Sequence, residues 1–321
     1  VEERMDAEQK VESSISGFWR RIGALVLDGL FLGGLGFLLG LFFESWFVSL
    51  GDAARLIGFS IALCYFGILN SRIGQGQTLG KRALDIKVVN RSGDYISPLR
   101  SVVRYVVFAT PFYLNGLNLS PEFMEGLSIV HYLLAIVIFG GIFSTAYLYL
   151  FNKRTRQSLH DLVVGSYVVQ AEGSFQSSVN VWKPHFAIIS TLPVVTVVVM
   201  FFMEDMVAQE PFKKLLNIQV EVLNVPSVRK ASVVQSERFV SSSTNGEQSF
   251  EFVNVSASLT ENNISDQTLS KNISDIVFDL YPASREMDAV NVTLTYGYDI
   301  GIWSTWSRET RSYNFSNSET Q

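Results

Sequence analysis

The sequence predicts an α-helical polytopic membrane protein of about five transmembrane helices, with a small cytoplasmic β element and a C-terminal α+β soluble domain. Three observations predict it. Of 321 residues, 48% are hydrophobic and only 17% charged, against roughly 25% charged in globular domains. Several apolar runs approach or exceed the ~20 residues that a bilayer core asks of one helix. The last third instead alternates apolar and polar residues in the manner of strands.

Residues 1–16 are a polar tail, and 17–170 form one membrane unit. Its apolar segments are about 18–43, 53–70, 102–119 and 127–151. The third is short and interrupted by Pro111; the fourth carries no charged residue. A Ser-rich linker, 171–183, leads to a fifth segment, 184–203, and residues 204–321 make the second domain. The first apolar run is too long for a signal-peptide core, so it is expected to stay as an anchor.

Orientation follows from Lys and Arg near the helix ends. The N-terminal tail with the entry to segment one, the stretch 71–104 and the stretch 152–183 together carry fifteen. The short loops 44–55 and 120–126 carry one, Arg55. The N-terminus is therefore expected in the cytoplasm. With five spans the C-terminal domain lies outside; with four it would lie inside, so the topology depends on segment three.

Between segments two and three stands "GQGQTLGKR", residues 74–82. It resembles a phosphate-binding loop but lacks the required spacing. Five residues before Gly80 is Gln75, not Gly, and Arg82 replaces the Ser or Thr that would meet magnesium. Gly74, Gly76 and Gly80 also miss the dinucleotide pattern by one residue. Instead Thr78 is expected to cap a short interfacial helix, with Lys81 and Arg82 near lipid headgroups. "DIKVVN" (85–90), "RSGD" (91–94) and "YIS" (95–97) read as strand, turn and strand, and "GSYVVQ" (165–170) as a further strand.

The C-terminal domain holds 16 acidic and 9 basic residues, which argues against nucleic acid as a partner. Stretches 217–225, 248–259 and 289–300 alternate like strands. Residues 266–281 repeat apolar positions at helical spacing behind Asp266 as N-cap. One helix on an antiparallel sheet is the expected product. Asn-x-Ser/Thr triplets at Asn254, Asn263, Asn272, Asn291 and Asn314 are what chance gives in such a composition. The single cysteine, Cys64, lies in segment two. A disulfide within the chain is therefore excluded, and a cysteine-free outer domain fits a bacterial envelope.

Asp28 is the most informative residue. It lies about 9 Å into the first segment, where an unpaired carboxylate costs at least ~2.5–3.5 kcal/mol. Arg21 shares its face, but its side chain leans away. A cation from another helix is the better partner, with Arg104 the first choice. Ser158 and Asp161 have the spacing of a capping-box variant, and Asp161 is expected to meet Arg21 or Arg104. His160 is adjacent to Asp161, but neighbouring helical residues point apart. No metal spacing, nucleophile elbow or triad appears, so no enzyme activity, metal or cofactor is expected.

Four blocks in order, "GFWRRIGALVLDG", "GQTLGKRALDIKVVNRSG", "SPLRSVVRY" and "RQSLHDLVVGSYVV", resemble the RDD family of integral membrane proteins. That family is named for an arginine and two aspartates. Arg21, Ala24 and Asp28 fit its first frame, and Asp161 fits the His-Asp pair after the last core helix. The resemblance covers about residues 17–170. It implies a mostly bacterial membrane protein, commonly linked to transport, in some members sodium–proton exchange; a eukaryotic relative is an assembly factor for a membrane ubiquitin ligase. Two roles are therefore expected from different classes. One is a transporter of a small solute, or of a cation against protons, built on Arg21, Asp28, Arg104 and Asp161 in the inner membrane. The other is a scaffold whose periplasmic domain docks a partner through aromatic residues such as Tyr298, Trp303 and Trp306. Expected partners are the bilayer and another membrane protein or a second copy of the chain.

Overall fold

The computed structural model describes residues 14–116, 129–172, 175–177, 179–207, 209–242 and 246–315. The polar tail before residue 14, the loop 120–126 and the neighbouring ends of segments three and four lie outside the described residues, as do 173, 174 and 178 of the linker. The chain divides into two compact units. The first takes in the described residues through Phe43, Asp52–Met200 and Asp299–Trp303. The second takes in Glu44–Gly51, Phe201–Tyr298 and the described residues from Ser304 onward.

The first unit is helical. Helix α1 runs Phe18–Leu50 and leaves helical geometry at Phe43. A 3-10 turn, Gly51–Ala54, joins it to α2, Arg55–Leu69. Thr78 then caps α3, Leu79–Ala83, by accepting the Lys81 amide, as the sequence predicts. Helix α4, Pro98–Leu114, starts at a Ser97 cap with proline in its first turn. Helices α5, Ile129–Ala135, and α6, Gly141–Phe151, are joined by a π turn over Ile136–Gly140. The glycine there has a packing reason: a Cβ on Gly141 would stand 2.5 Å from the Pro111 ring. Helix α7, Leu159–Val164, ends on Gly165 in the left-handed conformation. Helix α8 runs Pro184–Val207.

Among the described residues, three helical stretches are long and apolar enough to cross a membrane: Phe18–Leu69, Ile129–Phe151 and Pro184–Met203. The first contains two of the expected segments. The expected third corresponds to α4, which has 17 residues and falls short of the ~20 a bilayer asks. Val194, Val195, Val198, Val199, Phe201 and Phe202 are all exposed along α8. Apolar surface on that scale is stable only against lipid or another apolar partner. Cys64 likewise faces outward from α2.

Strand β1, Ile86–Asn90, pairs antiparallel with β2, Ser166–Gln170, and Ile15 bridges to Val169. Residues 95–97 form no strand. The chain turns at Asn90, whose side-chain oxygen accepts the Ser92 and Asp94 amides. That local turn leaves β1 free to take the distant β2 as its partner.

The second unit is a four-stranded sheet in the order β3-β4-β5-β6 with two helices. The elements are α9, Phe212–Leu223; β3, Val228–Ser242; β4, Gly246–Leu259; α10, Gln267–Leu280; β5, Ala289–Asp299; and β6, Ser304–Tyr313. Asp266 caps α10 through the Leu269 amide, as expected. Two expectations fail. Residues 217–225 belong mostly to a helix, because Leu215, Ile218 and Val222 recur at helical spacing and are the residues that bury. The sheet is mixed, because β4 and β5 run parallel, with α10 as the crossover between them. Val253, Val255, Ala257, Leu259, Val290, Val292 and Leu294 meet Ile218, Ile273 and Val277 in its core.

Two glycines separate close packing from mere flexibility. A Cβ on Gly80 would stand 2.1 Å from the Ala24 carbonyl oxygen, whereas one on Gly34 meets nothing within 4 Å. Gly80→Ala is expected to cost about 1–3 kcal/mol, read as a lowered unfolding temperature in detergent. Gly34→Ala is expected to leave it unchanged or slightly raised. Equal effects would show that α3 does not pack on α1 at backbone distance.

Candidate functional site

Two buried carboxylates organise the first unit, and each has a different solution. Asp161 sits in the first turn of α7 and is fully buried. Its Oδ1 accepts Arg104 Nε at 2.9 Å, Arg104 Nη2 at 2.8 Å and the Ser166 hydroxyl at 2.9 Å. Its Oδ2 accepts Arg21 Nη2 at 2.6 Å and the Ser158 amide at 3.3 Å. Arg21 also donates to the Arg156 carbonyl and lies over the Tyr149 ring at 4.7 Å. One aspartate thus joins α1, α4, α7 and β2. The sequence leaves Arg21 and Arg104 as alternatives for Asp161; the structure uses both.

Asp28 is fully buried as well, but its partners are neutral. Its Oδ1 accepts the Tyr65 hydroxyl at 2.7 Å and the Gly80 amide at 2.8 Å, and its Oδ2 accepts the Thr78 hydroxyl at 2.6 Å. The expected Asp28–Arg104 pair is therefore absent, because Arg104 is fully engaged by Asp161. The glycine-bearing stretch does cradle an anion with a backbone N–H and a hydroxyl. That anion is the chain's own carboxylate, which takes the place a phosphate would hold. Tyr65 has no motif to announce it. The signal for Thr78 was the resemblance to a phosphate loop that the spacing rejects.

Lys81 departs from expectation too. It is 9% exposed rather than at the membrane surface, whereas Arg82 is exposed. Its ammonium lies 3.4 Å from the Thr78 hydroxyl and 5.7 Å from the centre of the Phe66 ring. No carboxylate among the described residues lies within ion-pair distance of it. His160 turns back toward Asp161, with Nε2 3.5 Å from Oδ2, despite being its chain neighbour. Its ring also meets Phe108 edge-on at 5.1 Å. Arg21, Asn70, Lys81, Arg104, Tyr149 and His160 contribute to the wall of a cavity of about 60 Å³. A larger cavity of about 670 Å³ shares Leu25, Phe66, Tyr105, Phe108 and Tyr149 with it and is otherwise apolar except for Tyr113 and Thr145.

The electrostatics follow from this geometry. Helices α3 and α7 lie outside the long apolar helices. Burial alone would raise the Asp161 carboxyl, but Arg104 and Arg21 overcome it and hold the group well below the usual carboxylate range. Burial pushes Lys81 down to about 7; Arg104 and Arg21 add to that, while Asp28 and Asp161 oppose it. Burial pushes His160 down to about 3 against the pull of Asp161, so its imidazole is neutral at physiological pH.

The expected docking aromatics are not equivalent. Tyr298 is buried, its ring 5.2 Å from Phe47 within the second unit, and cannot dock a partner. Trp303 belongs to the first unit, edge-on to Phe37 at 5.4 Å. Trp306 remains exposed on β6.

A family model for the RDD family matches residues 15–165, which contain both carboxylates and both arginines. This segment is an RDD-family domain. It is similar over 156 residues, at 24% identity, to the uncharacterized protein YckC of Bacillus subtilis (strain 168), covering 49% of this chain and 85% of the relative. It is similar over 114 residues, at 28% identity, to the uncharacterized protein YxaI of the same organism, covering 29% of this chain and 75% of that relative.

In the RDD domain, Asp161→Asn leaves two buried guanidiniums without their counter-ion and is expected to cost about 3–5 kcal/mol. Asp28→Asn disturbs only hydrogen bonds, for about 1–3 kcal/mol. Unfolding of purified protein in detergent checks the order. Sign matters for pH: a depressed carboxyl stabilises above the unfolded value near ~3.9 and loses that stability as pH falls below it. Acid unfolding is therefore expected to be steeper in the native chain than in Asp161→Asn.

Proposed function

We propose that the chain is a multi-pass protein of the bacterial inner (cytoplasmic) membrane that moves a small solute through its RDD domain. In this reading the N-terminus is cytoplasmic and the C-terminal domain periplasmic, with α4 as a short fifth span that the bilayer meets by thinning locally. The supporting observation is the polar cavity lined by Lys81, Arg21 and Arg104 and set against the larger apolar one. Buried ionisable groups in a membrane unit are costly, and function is the usual reason to keep them. The Arg21–Asp161–Arg104 cluster is the frame of the site, because every charge in it is engaged. Lys81 is the mobile charge, because its ammonium has only a hydroxyl and an aromatic face. Cation exchange at Asp28 receives less support, since both its oxygens are taken by neutral donors.

Flux of small ions and solutes into proteoliposomes holding the full chain tests the role. Native protein is expected to show saturable, pH-dependent flux that Lys81→Gln removes while the unfolding temperature is kept. No flux of any small solute, or flux indifferent to Lys81→Gln, would sink it. A reporter enzyme active only outside the cytoplasm, fused after residue 321, is expected to be active; inactivity would place the domain inside.

A second reading makes the C-terminal domain a docking module for another membrane protein. It rests on a groove of about 460 Å³ between α9 and β3, where Phe212, Leu216 and Val234 are exposed. Cross-linking in native membranes through a photoreactive residue at Leu216 is expected to capture one defined partner under that reading. Lipid-only adducts would count against it.

A further inference from the structure

Charge arithmetic in the RDD domain leaves one positive charge over. Arg21, Arg104 and Lys81 bring three; Asp28 and Asp161 return two. All five are nine-tenths or more buried. A net buried charge is costly unless something neutralises it. The cavity of about 60 Å³ is several times the ~10–15 Å³ that one water needs, so a small ion fits with water beside it. Two polar atoms at this site are buried and unpartnered: Asn70 Oδ1 and His160 Nδ1. The first belongs to a group that donates after a simple change, because the Asn70 amide presents its NH₂ on turning over. The neutral His160 imidazole keeps its proton on Nε2, toward Asp161 Oδ2 at 3.5 Å, and leaves Nδ1 an acceptor. The wall also holds the Lys81 ammonium, the two guanidiniums and the Tyr149 ring. Donors outnumber free acceptors.

We propose that this cavity binds a small monovalent anion of the halide class, held by Lys81 with Asn70 as a neutral donor beside Arg21 and Arg104. This rests on the small-solute reading of the same domain and names the class of solute. It also gives the site a pH dependence. The groups facing Lys81 are Arg21, Asp28 and Tyr149 from α1 and α6, Tyr65 from α2, Arg104 and Tyr105 from α4, and His160 and Asp161 from α7. Asp161 pairs with both arginines, and the His160 imidazole is neutral. Lys81 is thus the group whose protonation the anion favours. By linkage an anion that needs the ammonium raises its proton affinity and takes up a proton on binding wherever the free lysine is partly neutral. Anion affinity is therefore full below about 7 and falls about tenfold per pH unit above it.

Purified full-length protein in lipid nanodiscs, exchanged into potassium gluconate, is titrated with potassium chloride and with potassium bromide. Chloride binding is read by chloride-35 NMR line broadening, bromide binding by its reversal of that broadening, and proton uptake by a pH electrode in weak buffer. Saturable binding is expected for both halides, with up to one proton taken up per chain at pH 7.5 and none at pH 5.5. Lys81→Gln is expected to weaken binding at least tenfold and abolish the uptake. Lys81→Arg is expected to keep binding and lose its pH dependence between 6 and 9. Absence of halide broadening from the native chain, or affinity unchanged in Lys81→Gln at an unchanged unfolding temperature, would overturn the proposal. Halide binding without flux in proteoliposomes would overturn transport and keep the site. Flux of another solute without halide binding would do the reverse.

Discussion

One aspartate between two arginines holds the RDD domain together. Arg21 comes from the start of α1, Arg104 from α4 and Asp161 from α7. None of these charges can be buried singly, because a lone ion in a low-dielectric interior costs several kcal/mol. Each therefore specifies the position of the other two. Helix–helix contacts between apolar faces discriminate poorly in a membrane, where lipid is as apolar as leucine. A buried ion triad supplies the register that such faces lack. It also fixes β2, since Ser166 donates to the same carboxylate, and β2 in turn aligns β1.

Asp28 meets the same constraint by another route. Its two oxygens take a tyrosine hydroxyl, a threonine hydroxyl and a backbone amide. The amide can reach it because Gly80 lets α3 approach the Ala24 carbonyl of α1. Thr78 then has two tasks, since it caps α3 and donates to Asp28. A cation at this position would have cancelled the charge; three neutral donors solvate it instead. The positive charge of Lys81 consequently stays available within the same domain.

The sequence made the chain legible where chemistry is local. Thr78 as a cap, α10 behind Asp266 and the β1 and β2 strands all rest on neighbours in the chain. Partner choice is not local. Asp28 and Asp161 are two acidic residues that compete in the sequence for the same two arginines, and no spacing rule says which pair forms. The strand reading of 217–225 failed because Ile218, Val220 and Val222 alternate within a short window. The window has to include Leu215 before the helical period outweighs it. The parallel β4–β5 pairing depends on the crossover path through α10, which no alternation pattern records.

The two cavities divide the interior of the RDD domain by polarity. The larger is walled almost wholly by aromatic and aliphatic side chains, whereas the smaller adds Arg21, Lys81, Arg104, Asn70 and His160 to such a wall. Their shared boundary is Phe66, Tyr105, Phe108 and Tyr149 with Leu25. Aromatic faces tolerate both sides, since a ring packs on hydrocarbon and its face also accepts a cation. Tyr149 carries Arg21 and Phe66 carries Lys81 in that way. The ring faces stand in for water around charges that have left it. They do so without offering a carboxylate that would compete with an incoming anion.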